Sequence, residues 1–66
     1  MMTWYTAHYG NWKNGNTVHY IEGTFDRKDM MARAQATADE VQQTVTVSAE
    51  RGTRLTFTEV HPRVKF

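Results

Sequence analysis

From Trp4 to Phe25 aromatic and β-branched residues alternate with polar ones in two runs, one on each side of Asn14-Gly15. A period of two is the mark of a strand. Asn-Gly between two such runs is the strongest short-range hairpin signal, because a type I′ turn needs positive φ at both central residues. A strict ladder about Asn14-Gly15 mixes apolar and polar side chains on both faces. One extra residue at Gly10-Asn11, read as a bulge, restores order by flipping the parity beyond it. Tyr5, Ala7, Tyr9 and Trp12 then share a face with Ile21 and Phe25, while Trp4, Thr6, His8, Val18, Tyr20 and Glu22 take the other. Trp12 becomes a residue of the core rim.

After Phe25 the period lengthens to about 3.6, with Met30 or Met31, Ala34, Ala38 and Val41 along one stripe, which predicts an amphipathic helix over 27–42. Asp26 suits the N-cap, and Asp29 sits at N3 beside the positive end of the helix dipole. Phe25 and Met30 have the spacing of a hydrophobic staple. Asp29 and Arg33 form an i,i+4 pair in the favourable order. The outer face, with Arg27, Lys28, Arg33, Asp39 and Glu40, mixes both charges and reads as solvated. The Met30-Met31 pair reads as core filler at the start of the stripe.

Alternation returns from Thr44. Val45, Val47 and Ala49 form one apolar set, and Leu55 and Phe57 a second. A two-residue Arg51-Gly52 loop would put the two sets on opposite sides. A three-residue loop, Glu50-Arg51-Gly52 with glycine in a G1 bulge, pairs Ala49 with Thr53, Val47 with Leu55 and Val45 with Phe57, and so unites them. The second arrangement is the expected one. His61-Pro62 ends the strand, and Val64 and Phe66 of the tail either cover a core edge or fray.

These elements make one α+β domain over residues 1–66 in the order ββαββ: a hairpin over 2–25, a helix over 26–43, a hairpin over 44–61 and a tail over 62–66. The expected architecture is a four-stranded, mainly antiparallel sheet with one helix packed on one face. Strand order 2-1-3-4 or 1-2-4-3 satisfies it equally.

Composition narrows what such a domain can be. A chain of 66 residues has room for one small core, and the absence of cysteine removes disulfides and thiolate zinc sites as staples. Stability must come from packing or from a partner. The apolar runs are too short for a membrane-spanning helix or a secretory leader, so the cytoplasm is the expected location. A net charge of +1 does not argue for a polyanionic partner, although the last third is mildly basic, at +2.

Catalytic chemistry finds little support. Ser48 is the one serine and lies on a wet strand face, there is no thiol nucleophile, and Gly10, Gly15, Gly23 and Gly52 all read as turn or bulge positions instead of a phosphate loop. No enzyme and no cofactor are expected. A metal site would have to combine His8 with a carboxylate such as Glu22, because His19 points to the opposite face, and none is expected.

The surplus of aromatics over the needs of one core is the main functional clue. A single helix covers one face, so the candidate interaction surface is Trp4, His8, Val18, Tyr20, Arg54 and Thr56 on the other. The function expected is a small protein-interaction module that self-associates, as a homodimer, or docks on another protein through this open aromatic face or a sheet edge. The alternative is a single-stranded nucleic-acid-binding module, with Trp4 and Tyr20 stacking on bases and Arg51, Arg54 and Arg63 on phosphates.

Overall fold

The structure, a computed structural model, describes residues 2–10 and 17–64. Its elements follow the expected order: β1 is Trp4–Tyr9, β2 His19–Thr24, α1 Arg27–Val41, β3 Val45–Arg51 and β4 Arg54–Val60. The four strands form one antiparallel sheet in the order β2-β1-β3-β4 with the helix on one side, an α+β fold that takes the first of the two topologies the sequence allowed. The turn at Asn14-Gly15, Trp12, the Asn11 half of the expected bulge and Phe66 lie outside the described residues.

The helix begins as its sequence dictates. Asp26 is extended at φ −91°, and its side chain accepts a hydrogen bond from the Asp29 amide at 3.2 Å. Arg33 binds the Asp29 carboxylate one turn on, at 2.9 Å. The helix stops at Gln42, whose left-handed φ of 53° makes it the C-cap. Met30, Ala34 and Ala38 are the buried stripe, and Met31 packs beside them, partly buried.

Across the interface lie Ala7 of β1, Val45 and Val47 of β3 and Val60 of β4, with Tyr5, Tyr9 and Ile21 packed around them. Among the described residues, three of the seven that are buried are alanines, and Met30 and Val45 are the largest side chains fully enclosed. The core is thin because small residues let helix and sheet approach closely while burying little area each. A helix is about 10 Å across and neighbouring strands about 4.8 Å apart, so one helix covers roughly two strands of four. Strand β4 is accordingly exposed along its length except at Val60.

Three expectations about register need correction. The β3–β4 connection is a two-residue loop, Gly52-Thr53, flanked by Arg51 opposite Arg54, and it pairs Val47 with Thr58, Ser48 with Phe57 and Glu50 with Leu55. Gly52 has φ +61° while Thr53 is not at positive φ, the pattern of a type II′ turn with glycine at its first central position. The parity is therefore opposite to that of the three-residue loop, and Leu55 and Phe57 face away from the helix. The second correction is a further irregularity in the first hairpin. Ala7 pairs with Ile21, His8 with Tyr20 and Tyr9 with His19, the register that the Gly10-Asn11 bulge requires, and Gly10 has φ +103°. An additional register shift between Tyr5 and Ala7, opposite Thr24 and Ile21, places an extra residue in β2 at Glu22-Gly23. The third follows from it. Beyond that bulge the parity of β2 reverses, so Phe25 leaves the helix side and stands 54% exposed, its ring edge-on to Trp4 at 4.7 Å between centroids.

Candidate docking face and basic groove

The two sides of the sheet differ in chemistry. On the side away from the helix, the pairings bring Trp4, Thr6 and His8 of β1 into rows with Glu50, Ser48 and Thr46 of β3, and these with Leu55, Phe57 and Glu59 of β4. Tyr20 stands opposite His8, with ring centroids 6.1 Å apart. Thr6, Ser48 and Thr46 thus put small hydroxyl side chains near the centre of this face. Large apolar side chains line both flanks: Trp4, Tyr20 and Phe25 along one, Leu55 and Phe57 along the other. Tyr20 and Phe57 are the most open, at 79% and 62% exposed.

Trp4 is held down by its neighbours. A Cβ placed on Gly23 would meet three atoms of the Trp4 ring at 3.0 Å or less, so the indole lies directly over a backbone stretch that only glycine leaves bare. With Phe25 against its edge, Trp4 is covered except for 37% of its surface. The bulge, Gly23 and Phe25 together fix this ring on the open face.

The sequence-derived surface divides between the two sides. Trp4, His8 and Tyr20 come together on the open face. Val18 precedes β2, half-buried, and takes part in no ladder pair of the described residues. Arg54 and Thr56 lie on the helix side, because their ladder partners Arg51 and Ala49 share the parity of Val47. Sequence reasoning missed Leu55, Phe57 and Phe25, which the three-residue loop and a β2 without its own bulge had placed under the helix. The signal that finds Leu55 and Phe57 is Gly52 followed by Thr53, since glycine at the first central position is the type II′ signature.

On the helix side, the corner that α1 leaves uncovered forms a groove of about 360 Å³ between the start of the helix and β4. Arg27, Arg51 and Arg54 line it, with Thr56, Thr58 and the Tyr5 ring, over a floor of Val47 and Ala49. None of the seven acidic residues of the chain lines it.

Behind the helix, Asp39 ties the tail to the domain. Its Oδ1 accepts from the Arg63 amide at 2.8 Å, and its Oδ2 accepts from Arg63 Nε at 2.9 Å and Nη2 at 2.6 Å. The Arg63 side chain, then its amide, hold the Asp39 carboxyl down at about 2 instead of 3.8, and the carboxylate in turn raises the pKa of the guanidinium. Gln35 adds a hydrogen bond to the His61 carbonyl at 3.0 Å. Val64, just beyond, is exposed and covers no core edge.

Among the described residues no three His, Asp or Glu side chains converge as metal ligands do, and no helix is long and apolar enough to cross a membrane. His8 and His19 do lie on opposite faces, His19 stacking on Tyr9 at 4.9 Å. Neither a protein-family model, nor a curated protein, nor a solved structure matches this chain.

Proposed function

We propose that this chain is a small protein-interaction module that self-associates through the open face of its sheet. One observation carries the reading: Trp4, Tyr20, Phe25, Leu55 and Phe57, five large apolar side chains, stand exposed on the side opposite the helix. Taking about 200 Å² for each large side chain, their exposed fractions amount to roughly 600 Å² summed over the two flanks, as much as the largest single apolar patch of an ordinary monomer. A standard interface takes about 800 Å² from each partner, so the patch and its polar rim are the right size for one.

The occupant is a second copy. A two-fold axis lying along the strands carries the Trp4–Tyr20 flank of one protomer onto the Leu55–Phe57 flank of the other, which makes the face self-complementary. Such sheet-on-sheet packing is a common way to bury two apolar faces. A thin core of alanine and valine gives the further motive, since association would supply the burial that the monomer lacks.

Single-stranded nucleic acid is less well supported. Stacking and phosphate contacts need aromatics and cations on one surface, whereas here Arg51 and Arg54 lie with Arg27 on the helix side and Glu50 and Glu59 share the aromatic face.

Sedimentation equilibrium from micromolar to millimolar concentration tests the proposal. The expected result is a species of twice 7.7 kDa at the upper end, lost in Phe57→Glu, which places a charge on the Leu55–Phe57 flank of the face without touching the core. A single 7.7-kDa species at every concentration would reject the second copy as occupant.

A further inference from the structure

On the opposite side of the molecule, we propose that the groove between α1 and β4 is a binding site for a small organic phosphate, held by Arg27, Arg51 and Arg54. Three elements contribute one guanidinium each: the first residue of the helix, the last of β3 and the first of β4. Two of the three are directly opposed across the ladder, Arg51 to Arg54. Like charges in that position destabilise a sheet, and among the described residues no carboxylate is within ion-pair distance of Arg27, Arg51 or Arg54. Elsewhere the protein does pair its arginines: Arg33 has Asp29 and Arg63 has Asp39. A local rule broken without compensation inside the fold points to a compensating group outside it.

The chemistry of the walls specifies that group. Guanidinium presents a planar fork of donors that matches phosphate oxygens two at a time, so three of them satisfy a dianion far better than a single carboxylate. Hydroxyls of Thr56 and Thr58 on the β4 side add donors of adjustable direction. The floor is apolar, formed by Val47 and Ala49, and accepts a carbon body attached to the phosphate. At about 360 Å³ the groove is at the small end of ligand sites, which limits the occupant to a compact molecule and not a polymer strand.

The test is a titration of the intact protein with inorganic phosphate and, separately, phenyl phosphate, at constant ionic strength set with sodium chloride, followed by amide NMR. Saturable shifts are expected at Arg51, Gly52, Arg54 and Thr56 with Kd of about 1 mM or tighter, and tighter for phenyl phosphate than for phosphate because of the floor. Arg54→Gln and Arg51→Gln, at exposed positions that leave the core intact, should each weaken binding about tenfold. The proposal is overturned if neither compound gives a saturable shift, if chloride alone reproduces it, or if both variants bind as the parent does. Binding of a short oligonucleotide without saturable binding of phenyl phosphate would also overturn it. Loss of the dimer in Phe57→Glu leaves this site untouched, so the two proposals fail independently.

Discussion

Replacing Gly23 by alanine separates two opposed expectations. Backbone entropy alone favours the change, since glycine inside a strand is worth about 0.5–1 kcal/mol less than alanine. Geometry opposes it, because the new methyl would overlap three atoms of the Trp4 ring. The ring has 63% of its surface covered, about 150 Å² of indole, whose burial is worth roughly 4 kcal/mol at 25 cal/mol per Å². Lifting the ring enough to admit a methyl uncovers about a third of that, or roughly 1.3 kcal/mol, and residual strain adds about 1 kcal/mol. The clash therefore wins, and Gly23→Ala should be less stable by about 1–2 kcal/mol, despite the propensity gain. Urea denaturation of the parent and the variant in a Trp12→Phe background measures it, with Trp4 fluorescence shifting to longer wavelength as the ring moves into water. A variant more stable by 0.5–1 kcal/mol with an unchanged spectrum would refute the placement of Trp4 over Gly23.

Three further perturbations probe other parts of the account. Met30→Ala, at a fully enclosed position, should cost about 2–3 kcal/mol, most of the margin of a core this small, and leave a broad, low-temperature thermal transition by circular dichroism. Arg54→Thr removes the like-charge opposition to Arg51 and should raise stability by about 0.2–1 kcal/mol in denaturant titrations, the reverse of the usual effect of mutation. The Asp39 carboxyl is depressed in the folded state, so its stabilisation is complete above its unfolded pKa near 3.8 and is lost as pH falls through about 2. Acid titration of the parent should therefore show a stability decline below about pH 4 that Asp39→Asn lacks, with faster amide exchange at Arg63 in the variant.

Much of this architecture can be read from the chain because each element carries its own signal. Asp26, Asp29 and Arg33 specify the helix start, and Met30, Ala34 and Ala38 its buried stripe, all through contacts within a few residues. The alternation of Val45, Val47 and Ala49 likewise marks β3, and two of these are core residues. What the pattern cannot supply is the relation between strands. The three-residue loop rests on the premise that every apolar strand face must be buried under the helix, and one helix is too narrow for β4. Leu55 and Phe57 lie instead on the open face, the surface proposed to meet a second copy. Phe25 is misplaced for a different reason: β2 carries a second bulge at Glu22-Gly23, where the absent side chain admits Trp4, a contact between strands with no periodic trace in the sequence. The aromatic part of the candidate surface, Trp4, His8 and Tyr20, was legible from alternation, whereas the position of Arg54 and Thr56 hung on the parity of a single turn.

Isotope-filtered NMR on an equimolar mixture of labelled and unlabelled protein at millimolar concentration tests the central claim most directly. Intermolecular contacts are predicted between the rings of Trp4 and Tyr20 in one copy and the side chains of Leu55 and Phe57 in the other. An empty filtered spectrum, with relaxation rates of a 7.7-kDa monomer, would contradict it.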